Sequence, residues 1–299
     1  MGDLRRRNWT IGAAGALAGS PHEDRRPGQA EVLEPGTIAH LTKRLRSSTT
    51  RDITDLVKGY QPMDSFDEAA ADIYDAEPRG DEVSTVALLG ELARGGPALE
   101  LAIGTGRIAL PLAARGIRVD GVDLSPAMVS KLRAKPGGEH LSITMGDFAD
   151  VPVEGTYRLI FIVFNTLFNL LTQEDQVRCF ENVAKHLTDD GLFVLEAFVP
   201  TYLTRLRDDQ YVDAEQVGVD RVVFDVGRHD PVTQRLDESH AVLSPEGLRL
   251  FPIVTRYAWP SELDLMARIA GLRLKDRWAG WEREPFTSTS RNHVSVYGH

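Results

Sequence analysis

Between residues 98 and 198 short apolar runs alternate with stretches whose apolar residues recur every three or four positions. Ala98 to Ile103 reads as a buried strand, and Ile108 to Ala114 as the helix that follows the turn Gly104-Thr105-Gly106. The pattern continues as a strand over 116–123, a helix over 127–134 and strands over 141–145 and 159–164. A helix over 173–187, capped by Thr172, and a strand over 192–198 complete it. Leu159 to Phe164 is apolar at every position, as a strand covered on both faces requires. Strands alternating with helices predict a parallel sheet with helices on both sides.

Two helices precede this region. Ser65 is placed as the N-cap of the first, with Glu68 three residues on, and Pro78 and Gly80 end it. Val83 to Ala93 forms the second, and the pair is expected to lie over the ligand pocket as a lid. Beyond Phe198, runs at 219–227, 232–243 and 248–259 predict an antiparallel insertion of about three strands within 200–258. A helix over 260–271 with Ser261 as cap, then strands over 272–278 and 293–297, close the chain. Residues 1–61 differ in texture, with Arg5-Arg6-Arg7, small residues and a helix over 38–57. They are expected to be a mobile or weakly ordered extension of a domain spanning 62–299.

Composition narrows the class. The 299 residues are 42% hydrophobic and 26% charged, as in an ordinary globular protein. The net charge of -10 argues against a nucleic-acid backbone as partner. No stretch is long and apolar enough to span a bilayer, so no membrane partner is expected. A single cysteine, Cys179, fits a cytoplasmic setting. No His, Cys or carboxylate group has metal-site spacing, so no metal is assigned. Oligomeric state is not legible, and a homodimer stays open.

The chemistry starts at the glycine turn. Gly104 and Gly106 let the backbone bend sharply and let a ligand approach it. Asp123 ends the second strand 19 positions after Gly104, the spacing of a ribose-binding carboxylate. Ser125-Pro126 supplies the cap of the next helix, which leaves Asp123 for a ligand. Gly146-Asp147-Phe148 ends the third strand, where a carboxylate can accept from a purine amine and the ring can pack beside it. The turn also satisfies Gly-x-Gly-x-x-Ala, so a nicotinamide or flavin oxidoreductase is the first alternative.

Leu99-Glu100-Leu101-Ala102-Ile103-Gly104-Thr105-Gly106, Gly121-Val122-Asp123-Leu124-Ser125-Pro126-Ala127-Met128 and Gly146-Asp147-Phe148 together resemble the class I S-adenosylmethionine-dependent methyltransferases. The resemblance implies S-adenosyl-L-methionine as cofactor. It places Gly104, Gly106 and Arg107 beside the amino-acid arm, Asp123 on the ribose, and Asp147 on the adenine amine, with Leu124 and Phe148 against the ring. Glu100 would orient the loop or reach the cofactor ammonium through water. Met128, Gly146 and Phe164 complete the expected cofactor set. Ala102 departs from the pattern, since the family has a glycine there. The implied fold is a Rossmann-like α/β architecture: a doubly wound, mostly parallel seven-stranded sheet with an antiparallel last strand, a small antiparallel β insertion and an N-terminal helical lid. The insertion is similar to the layer that roofs small-molecule N-methyltransferases acting on amino sugars and glycine.

Methyl transfer from a sulfonium is an in-line displacement that needs alignment above all. The acceptor is expected to be a nitrogen or oxygen of a small-molecule metabolite. Asn165, just after the fourth strand, is the first catalytic candidate by position, with Tyr74 and His229 beside it. His240 is a further candidate base. Arg256 and Tyr257 are candidates for substrate binding, Arg256 with pairing to Glu262 as the structural alternative. A non-catalytic cofactor-binding module is the second alternative.

Overall fold

The computed structural model describes residue 60, residues 62–75 and residues 79–299. The expected extension over 1–61 and its helix at 38–57 therefore lie outside the described residues, Tyr60 aside.

Seven strands form the central sheet. They are β1 (Ala98–Leu101), β2 (Val119–Asp123), β3 (Ser142–Met145), β4 (Tyr157–Ile162), β5 (Leu187–Phe198) and, later in the chain, Arg273–Trp278 and Asn292–Gly298. From edge to edge the order is Arg273–Trp278, Asn292–Gly298, β5, β4, β1, β2, β3. β1 to β5 run parallel, and Asn292–Gly298 pairs antiparallel with β5, as expected.

The covering helices follow from the pattern. In β4, Leu159 and Phe161 enter one buried cluster and Ile160 and Ile162 the other. Successive side chains on a strand point to opposite faces, so an unbroken apolar run fills both layers. On one face Phe180 and Val183 of the helix Gln173–His186 meet Phe193 and Leu195. On the other, Leu89 of the helix Glu82–Ala93 and Leu112 of the helix Ala109–Ala114 meet Val194. Rings pack edge to face at Phe180–Phe193, with centroids 5.2 Å apart, and at Phe168–Phe198, 4.9 Å apart. We name the helices α1 (Glu68–Ile73), α2 (Glu82–Ala93), α3 (Ala109–Ala114), α4 (Pro126–Arg133), α5 (Gln173–His186) and α6 (Pro260–Ile269).

The insertion holds four strands: β6 (Gln210–Val217), β7 (Val222–Asp230), β8 (Arg235–Ser244) and β9 (Gly247–Arg256). The pattern missed β6 because that edge strand is mostly exposed and polar and has no apolar face to read. The sheet joins the core through Leu236 and Tyr211, and Tyr257 just past β9 packs there too. The last two strands of the chain are β10 (Arg273–Trp278) and β11 (Asn292–Gly298).

Two helix starts differ from expectation. Asp67, not Ser65, caps α1, its carboxylate accepting from the Ala70 N–H at 2.9 Å. Ser65 closes a short 3-10 turn, and its hydroxyl donates to the Pro252 carbonyl at 2.6 Å. A buried hydroxyl with a partner across the fold has more to gain there than at a helix end. α6 begins at Pro260 with Trp259 as N-cap, not Ser261, because proline fits the first helical position. Thr172 and Ser125 cap α5 and α4 as expected. No helix among the described residues is long and apolar enough to cross a membrane.

Candidate active site at the strand tips

The turn after β1 is built from left-handed backbone. Gly104 and Gly106 have φ of +55° and +78°. At Gly106 a Cβ would stand 2.9 Å from the Leu132 side chain, so this glycine also lets α4 pack. Ala102 holds φ at +56°. The residue that departs from the expected glycine thus takes the backbone shape that favours glycine.

Around this turn the structure gathers most of the expected cofactor set. Asp123 accepts from the Gly104 N–H at 2.7 Å through one oxygen and from the Ser125 N–H at 2.8 Å through the other. Burial raises its pKa, and those backbone bonds oppose the rise. Met128 lies buried behind the loop, its methyl 3.6 Å from where a Cβ on Gly104 would be. Leu124 is 45% exposed beside Asp123, an apolar surface at a polar strand tip. Asp147 accepts from the Ala149 N–H at 2.8 Å, and Arg178 stands 3.8 Å from its other oxygen. Phe148 is half-buried and packs against the core. Gly146 sits where a Cβ would meet Pro152 at 2.8 Å.

Glu100 is buried in the middle of β1 and accepts from the Ala109 N–H. Its Oε2 has no partner among the described residues. Burial pushes its carboxyl up to about 8; Arg107 and the Ala109 bond oppose that, and Asp123 adds to it.

Arg107 ties the turn to α2. Its guanidinium lies 3.1 Å from Asp81 and 3.4 Å from Glu82 at the start of α2. A second tie runs through Asp75, which accepts from the Thr105 hydroxyl at 2.7 Å and pairs with Lys135 at 2.6 Å. Tyr74 caps the end of α1, next to Asp75. Charged side chains thus tie Asp75 and the start of α2 to the glycine turn. However, α2 packs into the core against the sheet through Val86 and Leu89, so it is a covering helix and not the expected lid.

Sequence reasoning missed Arg79. Its guanidinium carbon lies 3.2 Å from the centroid of the Phe164 ring and 5.0 Å from that of Tyr74. Neither Nη1 nor Nη2 has a partner among the described residues, although both are buried. The signal was present, since Pro78-Arg79-Gly80 puts a cation inside a helix breaker, but a breaker reads as punctuation.

Asn165 follows Phe164 at the corner after β4, and both residues have positive φ, +61° and +56°. Asn165 Oδ1 accepts from the Phe198 N–H at 2.7 Å. Among the described residues only this corner and Asp208-Asp209 put two non-glycine residues in succession in this shape.

The remaining candidates lie around the four-stranded sheet. His229 Nε2 bonds the Tyr257 hydroxyl at 2.9 Å, and Asp209 stands 3.6 Å from Nδ1. Burial lowers the His229 pKa, and Asp209 pulls it up. Tyr257 stacks obliquely on Phe198, with centroids 6.4 Å apart, linking His229 to the corner at Asn165. Arg256 is buried and bonded to Gln176 at 2.7 Å, Glu262 at 2.8 Å and Gln234 at 3.1 Å, so its structural alternative is the one the contacts display. His240 pairs with Asp225, and Glu215 brings a third ligand atom to that pair, all within 4.8 Å. This grouping crosses strands and has no signature in linear spacing.

Comparison with known proteins agrees with the geometry. A family described as a methyltransferase domain matches residues 98–191, from β1 into β5. The CcbJ methyltransferase from Streptomyces caelestis is 40% identical, with a TM-score of 0.74, over 80% of this chain and 99% of that one. The cypemycin N-terminal methyltransferase of a Streptomyces species is 29% identical over 198 residues, 66% of this chain and 81% of that protein. The S-adenosylmethionine-bound structure of CalS10, an amino pentose methyltransferase from Micromonospora echinaspora, has a TM-score of 0.53 at 21% identity. It covers 93% of this chain and 100% of that one, a likeness of fold.

Proposed function

The chain belongs to the class I S-adenosylmethionine-dependent methyltransferases, and we propose that it methylates an amine nitrogen of a small-molecule metabolite. The oxidoreductase and the non-catalytic module are not favoured. The observation that carries the reading is a pair of ionisable side chains, Glu100 on β1 and Arg79 before α2, whose buried atoms have bonding capacity left over among the described residues. Glu100 Oε2 is matched to an ammonium, and Arg79 Nη1 and Nη2 to a carboxylate. The aminocarboxypropyl arm of the cofactor carries one of each, so the residues present fit it.

When bound, S-adenosyl-L-methionine supplies an electrophilic methyl group on a sulfonium. The protein's part is to bind, orient and exclude water. Asp123 has lone pairs beyond its two backbone bonds, which support acceptance from ribose hydroxyls. Leu124 offers an apolar wall for the adenine, and Asp147 an acceptor for its amine. Arg107 holds the start of α2 to the loop. Tyr74 and Phe164, bridged by Arg79, wall the side toward the acceptor.

An amine is favoured over a hydroxyl for two reasons. The 29%-identical relative carries its N-terminal specificity in its name. At the corner, moreover, Asn165 Oδ1 is already committed to a backbone N–H and is no base. A neutral amine attacks without one, whereas a hydroxyl usually needs one. His229, with its pKa lowered by burial and bonded to Tyr257, is the candidate to take the proton the amine sheds after attack. The catalytic domain is placed at 62–299 with its roof at 200–258. The buried thiol of Cys179 supports a cytoplasmic location.

The test is transfer of a labelled methyl group from S-adenosyl-L-methionine to a panel of amino sugars and peptide amines, read by mass spectrometry. Label on nitrogen is expected. Label only on hydroxyls of the same compounds contradicts the amine reading.

A further inference from the structure

We infer that Glu196 is a positioning residue for methyl transfer, holding the corner at Phe164 and Asn165 in place against the glycine turn. The inference rests on the methyltransferase reading, because that reading makes the corner the meeting point of methyl group and acceptor.

Between Leu192 and Phe198 the strand β5 is apolar except for Glu196, and this side chain is half-buried. A buried carboxyl is costly unless its bonds are made, and here they converge on the corner. Oε2 accepts from the Phe164 N–H at 2.7 Å. The Glu196 carbonyl accepts from the Asn165 N–H at 3.2 Å. Two residues on, the Phe198 N–H donates to Asn165 Oδ1 at 2.7 Å. The last regular pair of β4 and β5 is Ile162 with Leu195, so these bonds lie just past the end of the ladder.

The corner needs such support. Left-handed backbone is disfavoured for residues with a Cβ, and two in succession persist only where the surroundings over-determine them. The other carboxylate oxygen, Oε1, accepts from the Trp281 indole N–H at 3.0 Å. Trp281 comes from the segment joining β10 to β11. Asp81 and Arg107 are the charged groups that act on the carboxyl, Asp81 from the start of α2 and Arg107 from the glycine turn. One side chain thus receives the β4 tip and the segment joining β10 to β11, next to the charged pair at the start of α2.

The test compares the full chain with Glu196→Gln and Trp281→Phe. Glutamine keeps the shape and one acceptor oxygen but replaces the other with a donor. Three readouts are taken: S-adenosylhomocysteine affinity by calorimetry, amide hydrogen exchange of the peptide holding Phe164 and Asn165, and turnover on the amine panel. The expected result for Glu196→Gln is affinity within threefold of wild type, exchange at least tenfold faster in that peptide, and turnover at least tenfold lower. Trp281→Phe is expected to lie between the two. Unchanged exchange overturns the inference, and so does affinity that falls in proportion to turnover, which marks a general structural defect. A wild type that binds no S-adenosylhomocysteine contradicts the functional reading, and the exchange measurement then still decides the role of Glu196.

Discussion

Ala102 and Asp123 show how much is decided by single residues. Ala102 holds a left-handed φ of +56° at the family's glycine position. That conformation costs an alanine about 1–2 kcal/mol, and glycine's own entropy returns part of the gain. Ala102→Gly is therefore expected to raise the unfolding free energy by about 0.5–1 kcal/mol in chemical denaturation, with cofactor affinity retained. Asp123 is a charged acceptor at the second strand tip, and charge-assisted bonds of this kind contribute about 1.5–3 kcal/mol. Asp123→Ala should weaken S-adenosylhomocysteine binding by about 10- to 100-fold in calorimetry. A change below threefold rules out the ribose role. The same substitution removes the bond to the Gly104 N–H, so loop order and ribose contact fall together.

At the scale of elements, the start of α2 is fastened to the glycine turn. Arg107 reaches Asp81 and Glu82, and Lys135 and Thr105 hold Asp75. Arg107→Ala cuts the first tie and leaves two acids without their cation. Dissociation of S-adenosylhomocysteine is expected to speed up by about tenfold, equivalent to about 1.4 kcal/mol, read by stopped-flow fluorescence. The elements themselves were largely legible. Short apolar runs between stretches of period 3.6 locate the five parallel strands, because a sheet covered on both faces leaves its strands largely apolar. What the pattern could not show was anything fixed by distant partners. Ser65 left its expected cap for a carbonyl 187 residues away. β6 is polar because its neighbours lie on one side only. Glu196 hides as one acid in the apolar stretch 192–198, and its meaning lies in donors at 164 and 281. The glycine turn and the carboxylates at the strand tips were legible because such places carry local signatures. Arg79 and the roof's side chains have none.

Over the whole molecule, buried carboxyls couple folding to pH. Burial raises Glu100 from its ordinary 4.5 to about 8. The folded protein then holds a proton that the unfolded chain has already lost. Stability from this group is full below about pH 4.5 and falls as pH rises toward 8. Glu100→Gln removes the term. Between pH 5 and 8 the unfolding free energy of wild type is expected to decline relative to that variant by at least about 1 kcal/mol, since one unit of pKa is about 1.4 kcal/mol. Parallel curves contradict it. The same proton bears on function, because an ammonium beside Glu100 favours the ionised form. Cofactor binding near pH 7 is thus expected to release a proton, visible as a dependence of binding enthalpy on the buffer's ionisation enthalpy.

The account rests on the strand tips being shaped for the amino-acid arm of a sulfonium cofactor and not for a dinucleotide. The most direct test is a pair of calorimetric titrations of the full chain, one with S-adenosylhomocysteine and one with NADH. One-to-one binding of S-adenosylhomocysteine, lost or strongly weakened in Arg79→Ala, with no heat from NADH, is the predicted result. Binding of NADH with no binding of S-adenosylhomocysteine contradicts it.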